Sequence, residues 1–362
     1  MSRLKELHKF GQSPWYDNIE RGLLLSGRFK KMLEEDGITG VTTNPSIFEK
    51  AITGSADYDS EIGELGREGR NAIEIYDELT TRDVLQAADI LNAVYSSSNG
   101  SDGFVSIEVS PHLAHDAAAT VSEAKRLFNK IGRANVMIKV PATEEGIKAI
   151  KALIADGINV NATLIFSKAH YEGVAQAYIE GLEERSRQEK KVEGVASVAS
   201  FFVSRIDTQV DKMLKVGELK GKAAVAQAKA VYEIYKRKFS GPEWNKLERA
   251  GAKVQRLLFG STSAKNPAYR DVKYVEEIIG EGTINTLPEA TVEAFRRHGV
   301  AKATLGEGIE NARRHLLILE ELGINVEAVG RQLQDEGIKA FIDAYDKLIL
   351  MLEAKKNSFS VS

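Results

Sequence analysis

Lys139 stands in Val136-Met137-Ile138-Lys139-Val140-Pro141, an amine inside a short apolar run. A run of that length reads as a strand buried on both faces. An ammonium placed there without a partner is costly, and the usual response is loss of the proton. The ordinary lysine pKa is about 10.4, so a downward shift of about three units costs on the order of 4 kcal/mol. A neutral buried amine is the group that attacks a carbonyl carbon to form a Schiff base. The same residue also reads as a lysine whose head snorkels out at the strand end beside Pro141. The neighbouring strands weigh between the two.

Side chains alternate faces along a strand. In 104–110, Val105, Ile107 and Val109 share one face, and Ser106, Glu108 and Ser110 the other. In 135–140, Val136, Ile138 and Val140 oppose Asn135, Met137 and Lys139. In 158–165, Val160, Ala162 and Leu164 oppose Asn159, Asn161 and Thr163. The apolar faces suit surrounding helices. The polar faces then point inward, where a simple barrel holds packed aliphatic side chains. Three successive strands that supply Glu, Lys, Asn and Thr near their C-terminal ends describe a reaction centre.

These residues need a scaffold of strands. Eight short runs fit: 15–18, 38–44, 104–110, 135–140, 157–166, 194–203, 253–260 and 282–287. Between them lies helix-period apolar spacing, as in Ile73, Tyr76, Leu79 and Val84, or Val121, Ala124, Leu127 and Phe128. Eight strands separated by helices predict an α/β fold with a parallel sheet, and the count favours a closed (β/α)8 TIM barrel. The rival is a doubly wound open sheet, which usually carries a glycine-rich phosphate turn. Neither G-x-G-x-x-G nor G-x-x-x-x-G-K-[ST] occurs, and Gly306-Glu307-Gly308 is too short to count. Residues from about 300 to 362 read as helices, including an amphipathic stretch at 341–355. They are assigned to the outer layer plus a C-terminal extension of a single domain, 1–362. Whether they cover the barrel mouth or lie in an interface stays open.

Composition narrows the function classes. The chain has 362 residues, a net charge of −3 with both signs dispersed, and no cysteine. Nothing global points to nucleic acid or to a membrane surface, and thiolate chemistry is excluded. The first fifteen residues are polar and charged, without the apolar core of a signal peptide. No run approaches membrane-spanning length. The expectation is a cytoplasmic protein, a monomer or homodimer.

Five segments resemble the transaldolase family of class I (Schiff-base) aldolases. They are Trp15-Tyr16-Asp17-Asn18-Ile19, Gly40-Val41-Thr42-Thr43-Asn44-Pro45-Ser46, Val105-Ser106-Ile107-Glu108-Val109, Ile138-Lys139-Val140-Pro141-Ala142-Thr143 and the run 157–167. The resemblance keeps its order from about residue 12 to about 290. It implies that Lys139 forms the Schiff base with a ketose phosphate. Asp17 is implied as the proton shuttle at the C4 hydroxyl, and Glu108 and Thr163 as holders of the water of imine formation and hydrolysis. Asn44 and Asn161 are implied to bind hydroxyls of the dihydroxyacetone unit, Ser200 its terminal hydroxyl and Arg205 the phosphate. No cofactor and no metal are implied, because the imine is itself the electron sink.

The sequence departs from the family in the phosphate region. Family members carry Ser-Pro-Phe-Val-Gly-Arg where this chain reads Ser200-Phe201-Phe202-Val203-Ser204-Arg205. Their Ser-x-Arg grip after the seventh strand is replaced by Gly260-Ser261-Thr262-Ser263-Ala264-Lys265. Lys265, with hydroxyls from Ser261 or Ser263, is the expected substitute for the second arginine.

Each residue also has a plainer role. Asp17 is placed to cap a helix, Glu108 to be a structural ion partner of Lys139, and Asn44 to be a turn residue before Pro45. Asn161 and Thr163 can fill the interior with hydrogen bonds, and Arg205 can pair with Asp207 on the surface. Lys265 equally fits a solvated loop. Asn161-Ala162-Thr163 matches a glycosylation acceptor but falls on a buried strand.

At the level of activity, the resemblance implies transfer of a dihydroxyacetone unit between sugar phosphates in the non-oxidative pentose phosphate pathway. The nearest alternative is a fructose 6-phosphate aldolase that releases free dihydroxyacetone. Those relatives are shorter and usually carry tyrosine at the position of Glu108. A metal-dependent aldolase would use His112 and His115, whose i, i+3 spacing suits one helix face. A non-catalytic sugar-phosphate binder on the same scaffold is the third class.

Overall fold

The computed structural model describes residues 2–360. Seven strands form one sheet: β1 (Gln12–Tyr16), β2 (Val105–Glu108), β3 (Val136–Pro141), β4 (Val160–Ile165), β5 (Ser197–Phe202), β6 (Arg256–Gly260) and β7 (Thr283–Leu287). Every neighbouring pair is parallel, in the order β1-β7-β6-β5-β4-β3-β2. Helices occupy the connections, as parallel crossovers require. The fold is mixed α/β with a curled parallel sheet, as the alternation of strand and helix patterns predicts.

The expected strand at 38–44 is different. Only Val41 forms ladder bridges, to Tyr16 on one side and to Val105 on the other. Hydrogen bonds nevertheless run to both edges of the sheet. Tyr16 N–H donates to the Gly40 carbonyl at 2.9 Å and Thr42 N–H to the Tyr16 carbonyl at 2.9 Å. Val41 N–H donates to Phe104 O at 2.9 Å and Ser106 N–H to Val41 O at 3.0 Å. Gly40 is fixed by its surroundings, since a Cβ there would lie 2.4 Å from the Trp15 ring.

The inner side of the sheet holds its own apolar cluster of Trp15, Phe104, Met137, Ala196, Val198, Leu258 and Ile284. The outer faces pack with the helices into the large core. Met137 therefore points inward with Lys139, as alternation requires. The inner apolar layer supports a polar layer one step nearer the C-terminal strand ends, with Glu108, Lys139 and Asn161 in it. Parity breaks late in β4. Leu164 has φ 57° and the β4–β5 register shifts between Ala162 and Ile165.

The helix reading also needs one correction. In the helix Ala72–Ser97, Ile75, Leu79, Val84 and Leu91 are buried, but Ile73 is 57% exposed. The Asn71–Glu74 capping box sets the start and phase of this helix and turns Ile73 outward. Beyond residue 300, the helices are Ile309–Glu321 and Val326–Ser360. The second packs against the helices Pro45–Gly54, Asp59–Arg67 and Ala72–Ser97 of the outer layer. It crosses to the C-terminal ends of the strands, where Gln334 contacts the backbone after β3 and β4. Among the described residues, no helix is long and apolar enough to cross a membrane.

Candidate active site

Lys139 is buried at the inner face of β3, near its C-terminal end. Its Nζ donates to the Thr43 carbonyl at 2.8 Å and lies 3.5 Å from Glu108 Oε2. The amine thus has partners and does not snorkel to solvent. Parallel register sets this pair directly, because Glu108 on β2 is the partner of Lys139 on β3. At 3.5 Å the contact is an ion pair, and Glu108 Oε2 accepts no hydrogen bond from the described residues. Burial pushes the Glu108 carboxyl above the ordinary range, Lys139 pulls it back, and Asp17 adds to the rise.

Asp17 follows β1 directly. Its Oδ1 accepts from the Thr42 hydroxyl at 2.6 Å, and Thr42 Oγ1 lies 2.6 Å from Thr286 Oγ1 on β7. Burial raises the Asp17 carboxyl, while the Thr42 hydroxyl and Lys139 oppose that rise. Asp17 is not a helix cap. The helix Arg21–Leu25 begins after Glu20.

Asn161 lies beside Lys139 in the register of β3 and β4. Its Nδ2 donates to Ser106 Oγ at 3.0 Å, and its Oδ1 accepts from Ser200 Oγ at 2.7 Å. Glu108, Lys139, Asn161 and Ser200 thus form a continuous polar arc across β2 to β5. Thr163 is fully buried and its hydroxyl has no hydrogen-bond partner among the described residues. Asn44 caps the helix Pro45–Gly54, with Oδ1 accepting from Ile47 N–H at 3.0 Å. Its amide nitrogen makes no hydrogen bond among the described residues.

The phosphate-region residues form a looser group. Arg205 lies in the first turn of the helix Ser204–Met213 and is half-buried. It makes no hydrogen bond or ion pair among the described residues; its guanidinium lies 6.0 Å from the centre of the Phe202 ring. The expected alternative pairing with Asp207 does not occur, because buried Asp207 accepts from Ala224 N–H and the Tyr274 hydroxyl. Ser261 meets this helix through Ser204 N–H donating to Ser261 O at 3.0 Å and a 3.0 Å contact between the hydroxyls. Ser263 is half-buried. Lys265 is exposed and opens onto a cavity of about 320 Å³ with Thr208, Lys212 and Tyr269.

His112 and His115 are committed separately, to Asp346 at 2.7 Å and Glu145 at 3.6 Å. His112 lies in the short turn Pro111–Leu113 and His115 beyond it, so no helix presents both on one face. Among the described residues, no group of three His, Cys, Asp or Glu side chains is placed to hold a metal.

Sequence reasoning gave no role to Thr42, which holds Asp17, to Thr286, which touches Thr42, or to the inward-facing Ser106, which holds Asn161. Thr42 has the parity of Asn44 within 38–44, and that was the available signal.

A family model described as Transaldolase/Fructose-6-phosphate aldolase matches residues 14–352. The chain belongs to that family. A transaldolase of Trichodesmium erythraeum is 44% identical over 98% of this chain and 97% of its own length. A transaldolase of Neisseria gonorrhoeae is 45% identical over 97% of this chain and 100% of its own. A protein of a Nostoc species named Transaldolase 2 is 44% identical over 98% of both chains. The family match spans every candidate residue from Asp17 to Lys265, so the polar arc is part of a transaldolase-family enzyme.

Proposed function

We propose that the protein is a transaldolase. It moves a dihydroxyacetone unit from sedoheptulose 7-phosphate or fructose 6-phosphate to glyceraldehyde 3-phosphate or erythrose 4-phosphate. The observation that carries this reading is the buried Lys139 amine beside Glu108, with Asp17 across the same inner face. The residues 39–42 act as the eighth strand of a closed (β/α)8 barrel, which the hydrogen bonds to both sheet edges support. The chain works as one domain, in the cytoplasm, as a monomer or homodimer.

The Lys139 amine attacks the ketose C2 carbonyl. Attack needs the free amine, and Glu108 is the adjacent group that accepts its proton. The carbinolamine loses water, held by Glu108 and the unpartnered Thr163 hydroxyl, and leaves a protonated imine. Asp17 removes the C4 hydroxyl proton, the C3–C4 bond breaks, and its electron pair moves into the imine to give an enamine. The aldose phosphate departs. The enamine C3 then attacks the carbonyl carbon of the acceptor, and Asp17 returns the proton to the new alkoxide. Water adds to the imine and releases the product ketose. Asn44, Asn161 and Ser200 orient the three-carbon unit through its hydroxyls. Arg205 takes the phosphate with its uncommitted fork, and Lys265 with Ser261 or Ser263 completes that grip.

Glu108 supports transfer over release of dihydroxyacetone. The test is incubation with fructose 6-phosphate, with and without erythrose 4-phosphate. Transfer predicts sedoheptulose 7-phosphate, and glyceraldehyde 3-phosphate beyond one equivalent per site, only when acceptor is present. Sustained release of free dihydroxyacetone without acceptor would assign the aldolase activity instead.

A further inference from the structure

The 35-residue helix Val326–Ser360 is about 52 Å long, and its N-terminal part reaches the backbone that follows β3 and the end of β4. Its contacts include β4, the turn Pro111–Leu113 after β2 and the helix Ser204–Met213 after β5. Gly330, Gln334 and Gly337 occupy one stripe of it, spaced i, i+4, i+7. A Cβ on Gly330 would lie 2.7 Å from Ser167 Cβ and 3.1 Å from the Phe166 carbonyl oxygen. On Gly337 it would lie 2.9 Å from Leu164 Cδ2. At Gly330 a side chain would have to push the helix off the loop backbone, whereas at Gly337 the flexible Leu164 side chain could give way.

Between the two glycines, buried Gln334 donates its Nε2 hydrogens to Ala142 O at 2.9 Å and Leu164 O at 3.0 Å. Ala142 is three residues beyond Lys139, and Leu164 follows Thr163. The same two loops are joined by Ala142 N–H donating to Thr163 O at 2.8 Å. Leu164 holds φ 57°, a left-handed conformation that a bulky L-residue adopts only when its surroundings impose it. The carbonyl turned outward by that conformation is the one Gln334 holds.

We propose that Gln334 is a positioning residue for the water-handling half of the site. It locks the ends of β3 and β4 together and so fixes the Thr163 hydroxyl relative to Lys139. The proposal rests on the Schiff-base reading. Its effect falls on imine formation and hydrolysis, while proton transfer at Asp17, which follows β1 and does not contact Gln334, is not its task.

The test compares Gln334→Met, which keeps length and removes both donors, with Gln334→Lys, which restores a donor between the two carbonyls. Imine formation with fructose 6-phosphate is quenched by borohydride at successive times and read by intact mass; the end-point counts competent sites. For Gln334→Met, the rate per competent site and kcat should fall roughly ten- to hundredfold with KM within about threefold. Gln334→Lys should restore most of both. Wild-type trapping rate in Gln334→Met, or a kcat loss that Gln334→Lys does not repair, would overturn the proposal. If Gln334→Met does not fold, Gly330→Ala, which lifts the helix off the loop, is held to the same slowed trapping. Absence of any adduct in the parent protein would count against the Schiff-base reading; the kcat comparison between the two Gln334 variants would then still decide the role of Gln334.

Discussion

Lys139, Glu108 and Asp17 put one basic and two acidic groups on a small inner surface, and burial works against both carboxylates. Their roles separate by what each touches. Glu108 faces the amine, whereas Asp17 accepts from the Thr42 hydroxyl, which in turn touches Thr286. Asp17→Ala should therefore still form the imine but lose cleavage by about 10²- to 10⁴-fold, the usual worth of a positioned proton shuttle. Borohydride trapping alongside turnover checks this, and normal turnover would refute the shuttle role. The raised carboxyls also fix a pH dependence. Asp17 must be ionised to act as a base, and its pKa is raised, so activity falls as pH drops through that raised value. The acid limb of the kcat profile should lie above the ordinary Asp value of about 3.9. A limb at or below that value would contradict the burial argument.

Among the elements, the helix Ser204–Met213 carries a buried carboxyl, Asp207, two residues beyond Arg205. Asp207, one turn from Arg205's end of the helix, is pushed up to about 6 by burial, against the Ala224 and Tyr274 hydrogen bonds. A raised folded-state pKa means that the native chain holds this proton longer than the unfolded one. Its contribution to stability is present below the unfolded value of 3.8 and is lost as pH rises to about 6, by up to about 3 kcal/mol. Asp207→Asn should flatten the stability curve in that window, as chemical unfolding at several pH values would show; an unchanged slope would reject it.

How much of these elements was legible follows from their physics. Alternation on β2, β3 and β4 exposed Glu108, Lys139, Asn161 and Thr163, because side-chain parity is a local rule. The stretch 38–44 looked like a full strand, yet its ladder pairing narrows to Val41 as the chain turns around Trp15 at Gly40. The left-handed Leu164 and the Gln334 contacts come from a segment 170 residues distant in sequence, and no periodicity reports such an approach. The phosphate side was least legible, since Lys265 is placed by an irregular loop.

Across the whole molecule, the two ends of the sheet do different work. Toward the C-terminal end lies the buried polar arc of Glu108, Lys139, Asn161 and Ser200. At the other end, Asp102 accepts from Ser13 Oγ at 2.5 Å, Trp15 Nε1 at 2.7 Å and Thr39 Oγ1 at 3.0 Å, and pairs with Arg256 at 3.3 Å. These partners span β1, the 39–42 segment and β6, so one carboxylate ties together both sides of the junction. Removing it leaves Arg256 largely buried without its ion partner. Asp102→Ala should lower stability by about 3–5 kcal/mol in denaturant unfolding. Trapping by the protein that stays folded should be preserved. A loss below about 1 kcal/mol would show that the Asp102 cluster is not a main closure of the fold.

The most direct test of the account is reduction with borohydride in the presence of fructose 6-phosphate, followed by mass spectrometry of the intact chain and its peptides. The account predicts one reduced dihydroxyacetone adduct, located on Lys139 and absent from Lys139→Ala. An adduct on another lysine, or none while the folded protein binds the sugar phosphate, would contradict it.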